Sequence, residues 1–146
     1  MSTSLTAMNL VAPALAGGVF IIAMSCVPEP ARQRFNAILV AGAGAAYLNG
    51  GLGALELAYI PFATLVAYRG LTSYPFIGIA WLMHTGWDVV HHLYANPIWV
   101  WQPTSSAGCA VFDAVIAVWF LFGAPSVLSR WLAPRARRTS PSQTRG

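Results

Sequence analysis

Apolar runs about as long as a bilayer is thick recur along the chain, separated by short breaks, and no other feature restricts its fold so tightly. A helix needs about 20 apolar residues, with a range of roughly 17 to 25, to cross the hydrocarbon layer. The first run extends from about Asn9 to Val27 and stops at Pro28-Glu29-Pro30. A second starts near Phe35 and ends in the Asn49-Gly50-Gly51 break. A third, shorter one spans about Leu52 to Tyr68, and a fourth begins at Pro75, a favourable first-turn proline, and reaches about Tyr94. The fifth covers roughly Ala107 to Trp131, with Pro125 expected to kink or end it.

Composition agrees with the runs. Of 146 residues, 57% are hydrophobic and 8% charged, and lysine is absent; ordinary soluble domains carry roughly 25% charged residues. The expected fold class is all-α, a polytopic transmembrane helix bundle of about five helices. Residues 1–133 are expected to form a single transmembrane helical domain, and 134–146 a basic, disordered cytoplasmic tail. No basic residue precedes the first run, so that segment is expected to be a retained helix rather than a cleaved signal.

The net charge of +4 does not point to nucleic acid, because the arginines sit at the ends of apolar runs and not in a stripe between aromatics. Arg32 and Arg34 follow the first run, Arg69 the third, and Arg135, Arg137 and Arg138 the fifth, whereas the second and fourth connections hold none. Five spans place every basic segment on one side. The expected location is therefore the inner (plasma) membrane, multi-pass, with the N-terminus outside and the C-terminus cytoplasmic. Expected partners are membrane lipids and a second copy or a partner membrane protein. Cys26 and Cys109 fall near opposite faces of such a bundle, so no disulfide is expected. Small residues at Gly42, Ala46 and Gly50 are spaced for close helix packing in lipid.

Against this background the stretch HTGWDVVHH, residues 84–92, stands out. An ionised side chain at the bilayer centre costs about 2.5 to 3.5 kcal/mol on insertion scales, so such residues call for a reason. At 100° per residue, and with His84 at zero, Asp88 falls at about 40°, His91 at about −20° and His92 at about 80°. All four share one helix face. Glu56, about one turn into the third helix, and Asp113, nearly two turns into the fifth, are expected at similar depth. One polar pocket held by three helices is the central structural expectation.

Imidazole and carboxylate are ligands for zinc, iron or manganese. Glu56, His84, Asp88, His91, His92 and Asp113 are therefore candidate ligands of a divalent metal (Zn, Fe or Mn), with His84 and Asp88 as candidate catalytic groups. Asp88-x-x-His91 is the aspartate version of a di-iron ligand pair, although such bundles use two pairs and this chain has one. Plain alternatives stand beside each assignment. His91 and His92 suit a hydrated interface, His84 suits a buried histidine bonded to a carbonyl, and Asp88 or Glu56 paired with histidine suits polar glue between helices. Cys109 suits packing better than ligation.

The series His84, Trp87-Asp88, His91-His92, Asn96-Pro97, Ser105-Ser106, Cys109 and Asp113 resembles domain-of-unknown-function family 6010, a family of small uncharacterised bacterial integral membrane proteins. The likeness runs from about Asn49 to Pro125. It implies a polytopic bacterial membrane protein with these polar positions as its signature, and it brings no activity. The function expected is a small integral membrane protein with an intramembrane His/Asp/Glu cluster, acting as a metal-dependent enzyme on a lipid or small apolar substrate. Two alternatives are a proton-coupled transporter or carrier, weakened by the lack of an internal repeat, and a non-catalytic membrane subunit binding a partner helix.

Overall fold

A computed structural model describes residues 5–48 and 51–128, with only the backbone of Tyr47. The basic tail, Arg130 and Trp131, and Asn49-Gly50 of the second break lie outside the described residues. Five α-helices follow one another: α1 (Ala7–Ser25), α2 (Ala31–Ala43), α3 (Ala54–Gly70), α4 (Tyr74–Leu93) and α5 (Ser105–Leu121). Among the described residues there is no β-strand, and the fold is all-α.

The helix ends follow local chemistry. At α1, the backbone N–H of Thr6 donates to Asn9 Oδ1 at 2.9 Å, satisfying one donor at the helix entrance. α2 starts four residues before the expected Phe35, directly after Pro30, and tightens into a 3₁₀ turn over Gly44–Tyr47. Pro75 sits in the first turn of α4, where its missing N–H costs nothing. α5 ends at Leu121, earlier than the sequence suggested. Gly123 (φ 80°) and Ala124 (φ 50°) turn the chain into the left-handed region before Pro125 is reached, so the proline bends no helix.

α4 is the hub. It packs against α3 and α5 and touches α2, while α1 lies along α5. Paired contacts give the directions. Glu56 meets His91 and Gly70 meets Ile77, so α3 and α4 are antiparallel. Asp113 meets His84 and Leu121 meets Gly78, so α4 and α5 are antiparallel too. α1 and α5 run parallel: Asn9 Nδ2 donates to Thr104 Oγ1 at 3.1 Å at one end, and Ser126 Oγ to the Ser25 carbonyl at 3.2 Å at the other.

Close approach is carried by glycines other than those the sequence suggested. A Cβ on Gly78 would lie 2.8 Å from the backbone nitrogen of Leu121, and one on Gly70 would lie 2.6 Å from Ile77 Cγ1. Gly42 meets nothing within 4 Å and Ala46 is exposed, so this part of the small-residue pattern does not pack within the chain. Gly50 lies outside the described residues.

The bundle has two distinct halves. Ala37, Val40, Ala67, Ile77, Ala80, Trp81, Ile116 and Phe120 form an apolar core. Arg32, Arg34 and Arg69 gather at the end of the bundle beyond it, where Gln33 Nε2 donates to the Gly70 carbonyl at 3.1 Å. There Arg32 is buried, ion-paired with Glu29 and 5.8 Å from the ring centres of both Tyr74 and Trp119. Burial opposes ionisation of Glu29, but hydrogen bonds from Tyr74 and Arg32, with the arginine charge, outweigh it and hold the carboxyl below its ordinary value. The other half of the interior is polar.

The outer surface is apolar. Leu15, Val19, Ile38, Leu57, Phe62, Leu65 and Val118 are all exposed, in the middle of helices and not only at their ends. Among the described residues one helix, α1, is both long and apolar enough to cross a bilayer, and α5 is equally apolar but has 17 residues.

Candidate metal centre

α4 brings His84, Asp88 and His91 to its inner face because four- and seven-residue spacings return a helix to nearly the same azimuth. All three are buried, as are Glu56 on α3 and Asp113 on α5. The five side chains form one polar layer, but they do not share one centre. They divide into two adjoining groups.

The deeper group is His84, Asp88 and Asp113. His84 Nδ1 lies 3.6 Å from Asp113 Oδ2 and 3.9 Å from Asp88 Oδ1. One donor atom from each residue falls within 4.8 Å of the others. One carboxyl oxygen of Asp88 and one of Asp113 also lie within 4.8 Å of each other, and two acids this close out of water favour a proton on one of them when no cation is bound. No arginine joins this group: those described are at the far end of the bundle. Two acids and an imidazole out of water therefore need either protons or a cation to be electrically tolerable. Tetrahedral ligands about 2.1 Å from a metal ion sit about 3.4 Å from one another. The two histidine–aspartate separations exceed that by only a few tenths of an ångström, which side-chain torsions absorb.

The second group is Glu56 and His91. His91 Nε2 stands 2.9 Å from Glu56 Oε1, Trp87 Nε1 donates to Glu56 Oε2 at 3.0 Å, and the backbone N–H of Leu52 donates to Oε1 at 3.2 Å. Glu56 lies in the first turn of α3, where unpaired backbone N–H groups favour a negative charge. His91 Nδ1 is taken as well, 2.8 Å from Asn96 Nδ2. The end of α4 makes that contact. Ala95 adopts a left-handed φ of 53°, the N–H of Asn96 returns to the His91 carbonyl at 2.9 Å, and Ser106 Oγ holds the Asn96 carbonyl at 3.1 Å. Both ring nitrogens of His91 are therefore engaged within the chain. His92 is half-buried at the helix end and joins neither group.

Two residues at the site, Tyr59 and Trp81, were not singled out from the sequence, and a third, Trp87, entered only through the family resemblance. Tyr59 stacks flat on Trp87, ring centres 4.4 Å apart and 1° between planes, and meets His84 edge-on at 5.9 Å. Trp81 flanks His84 at 5.9 Å. Trp87 clamps Glu56. Helical phase contained the signal for the tryptophans, since Trp81 and Trp87 fall at about 60° and −60° on the scale where His84 is zero. Tyr59 follows Glu56 by three residues and so points to the same neighbour.

Around the deeper group several buried polar atoms lack hydrogen-bond partners among the described residues: Tyr59 Oη, Trp81 Nε1 and His84 Nε2. A buried polar group without a partner costs about 1 to 3 kcal/mol, so a cluster of them marks a place that a polar guest completes. Beyond Cys109, which neighbours the two aspartates, a groove of about 410 Å³ runs between α1 and α5. Met8, Ala12, Pro13, Ala16 and Phe112 line it. Cys26 and Cys109 are both free thiols.

The model of one protein family, described as a family of unknown function (DUF6010), matches residues 8–126, a stretch that includes both groups. No curated protein and no solved structure matches the chain.

Proposed function

Because the chain belongs to the family of unknown function DUF6010, which supplies no reaction, we infer function from the geometry and propose a multi-pass membrane protein with a divalent metal ion held by His84, Asp88 and Asp113. The observation that carries this reading is the convergence of three buried donor atoms within 4.8 Å inside a bundle whose outer surface is apolar. Two carboxylates and a neutral imidazole cancel the charge of Zn(II), Fe(II) or Mn(II), which makes the buried set electrically neutral.

Three protein ligands leave a coordination position open, the pattern of catalytic and not structural sites. An ion there polarises a carbonyl or phosphoryl oxygen, or makes bound water nucleophilic at neutral pH. The chain's own residues hold the ion, and Tyr59 and Trp81 border it. The apolar groove that Cys109 helps to line supports a lipid or small apolar substrate entering from the membrane. The Glu56–His91 pair acts as the brace that fixes α3 against α4 beside the site.

The bilayer reading draws on the same surface. Polar side chains fill one half of the interior while large apolar ones cover the outside, unlike a soluble bundle. The 17 to 20 residues of α1, α3, α4 and α5 span about 25 to 30 Å, close to a hydrocarbon core. All described arginines cluster at one end, as a cytoplasmic face requires.

Elemental analysis of detergent-purified protein tests the metal. Wild type is expected to hold one ion of zinc, iron or manganese, and Asp113→Asn and His84→Ala are expected to lose it. Protein that stays metal-free after reloading with each ion would remove the reading. Membrane residence is tested separately by resistance to alkaline extraction.

The close pair Asp88–Asp113 also favours a second reading, a proton-coupled carrier, since two adjacent acids favour a proton and His84 Nδ1 stands 3.6 Å from Asp113 Oδ2. In proteoliposomes Asp88→Asn would then abolish proton flux; equal flux in both proteins excludes it.

A further inference from the structure

Tyr59 is unlike the other aromatic residues of the bundle. Its ring is fixed on two sides, by the parallel stack with Trp87 and by the edge contact with His84. Its hydroxyl oxygen is buried and has no hydrogen-bond partner among the described residues. The charged groups that act on that oxygen are Asp88, Asp113 and Glu56. Glu56 is already occupied by Leu52, Trp87 and His91. The edge contact with His84 sets the phenol beside the His84–Asp88–Asp113 group.

We propose that Tyr59 Oη is a fourth protein ligand of the metal, and that it ligates as phenolate when the ion is iron(III). This rests on the metal reading of His84, Asp88 and Asp113 and deepens it by naming iron as the element, with the phenolate supplying the third negative charge that its oxidised, trivalent state needs. The donor set becomes one imidazole, two carboxylates and one phenolate, a hard, oxygen-rich set that suits iron better than zinc. Its three negative charges cancel those of iron(III), so the filled site is neutral within an apolar bundle. On binding, the phenolic O–H bond is replaced by an O–Fe bond. The released proton leaves to solvent with the one favoured on Asp88 or Asp113, and no electron is transferred. Iron takes up to six ligands, so positions remain open for substrate.

The ring clamp explains why this tyrosine in particular can serve. Stacking on Trp87 sets the ring plane and Glu56 in turn holds Trp87, so the hydroxyl is presented without the entropy loss of a free rotor. Tyr59→Phe removes only the oxygen and leaves both ring contacts intact.

The test loads full-length detergent-purified protein with iron(III). Phenolate bound to iron(III) absorbs visible light by ligand-to-metal charge transfer, which imidazole and carboxylate do not produce. Wild type is expected to be coloured, with phenolate vibrations enhanced in resonance Raman spectra. Tyr59→Phe is expected to be colourless, still to melt as a folded protein, and to bind iron(III) at least about 100-fold more weakly. Trp87→Phe, which keeps an aromatic stacking partner, is expected to retain the band. Stoichiometric iron(III) without a visible band, or an unchanged band in Tyr59→Phe, overturns the proposal while leaving the three-ligand site standing. Wild type that binds no metal overturns both.

Discussion

His91 Nε2 and Glu56 Oε1 are 2.9 Å apart, and Asn96 assigns the proton between them. The Asn96 amide, placed with its NH₂ toward the ring, donates to Nδ1, so the imidazole proton falls on Nε2, the nitrogen nearer the carboxylate. Glu56 thus accepts from an imidazole, an indole and a backbone amide, all N–H donors. Such an arrangement suits a carboxylate and poorly suits anything neutral.

Glu56→Gln is therefore expected to destabilise the bundle by about 2 to 3 kcal/mol, because one amide NH₂ must face N–H donors that previously met an anion. Thermal melting in detergent measures this. Metal content should be unchanged, since Glu56 belongs to the brace and not to the His84–Asp88–Asp113 group. Loss of metal in this variant would merge the two groups into one site.

Metal removal should act in the opposite way. Chelation is expected to lower the melting temperature of wild type and to leave Asp113→Asn unmoved. At free ion 100-fold above the dissociation constant, the bound ion adds about 2.7 kcal/mol. Wild-type stability that ignores both chelator and added ion would argue for protons at the site.

Packing predictions concern the glycines. Gly78→Ala places a Cβ 2.8 Å from the backbone of Leu121, which cannot swing aside as a side-chain end can, and should cost about 1 to 3 kcal/mol. Gly42→Ala meets open space and should be neutral or stabilise α2 by up to about 1 kcal/mol. Equal melting shifts for the two variants would contradict the helix contacts described.

Glu29 supplies a pH dependence. Its folded carboxyl titrates below the ordinary value of 4.5, so the contribution is complete above 4.5 and is lost as pH falls through the folded value. Melting temperature should therefore drop on acidification below about pH 4.5. Glu29→Gln should flatten that component and leave the rest of the profile.

Much of the site could be read from the sequence because helical phase is a local property. Residues 84, 88 and 91 had to share a face once the segment was helical, and the structure buries all three. Glu56 and Asp113 are both buried against α4, but two turns apart along it, Glu56 beside His91 and Asp113 beside His84. The division into two groups was not legible. It depends on azimuth between helices, which sets Glu56 against His91 and Asp113 against His84, and no single-helix pattern records that. Tyr59 was missed for a related reason. A tyrosine in an apolar run reads as an interfacial or packing residue until its hydroxyl is seen to lack a partner. The end of α5 was misjudged because Pro125 is a strong breaker, whereas Gly123 and Ala124 had already turned the chain.

Gly17 is the one fully buried residue of α1, and most of the helix's packing is against α5. In a membrane this makes it a segment that inserts on its own hydropathy and then waits for a helix synthesised about 80 residues later. α4 has the contrary problem: with His84, Asp88 and His91 it is a poor candidate for insertion alone, and only α3 before it and α5 after it shelter those groups. On the proposed membrane reading, biogenesis of the bundle hinges on α4 being retained beside its neighbours at the translocon until α5 emerges, so that α5 completes both the contact of α1 and the polar layer.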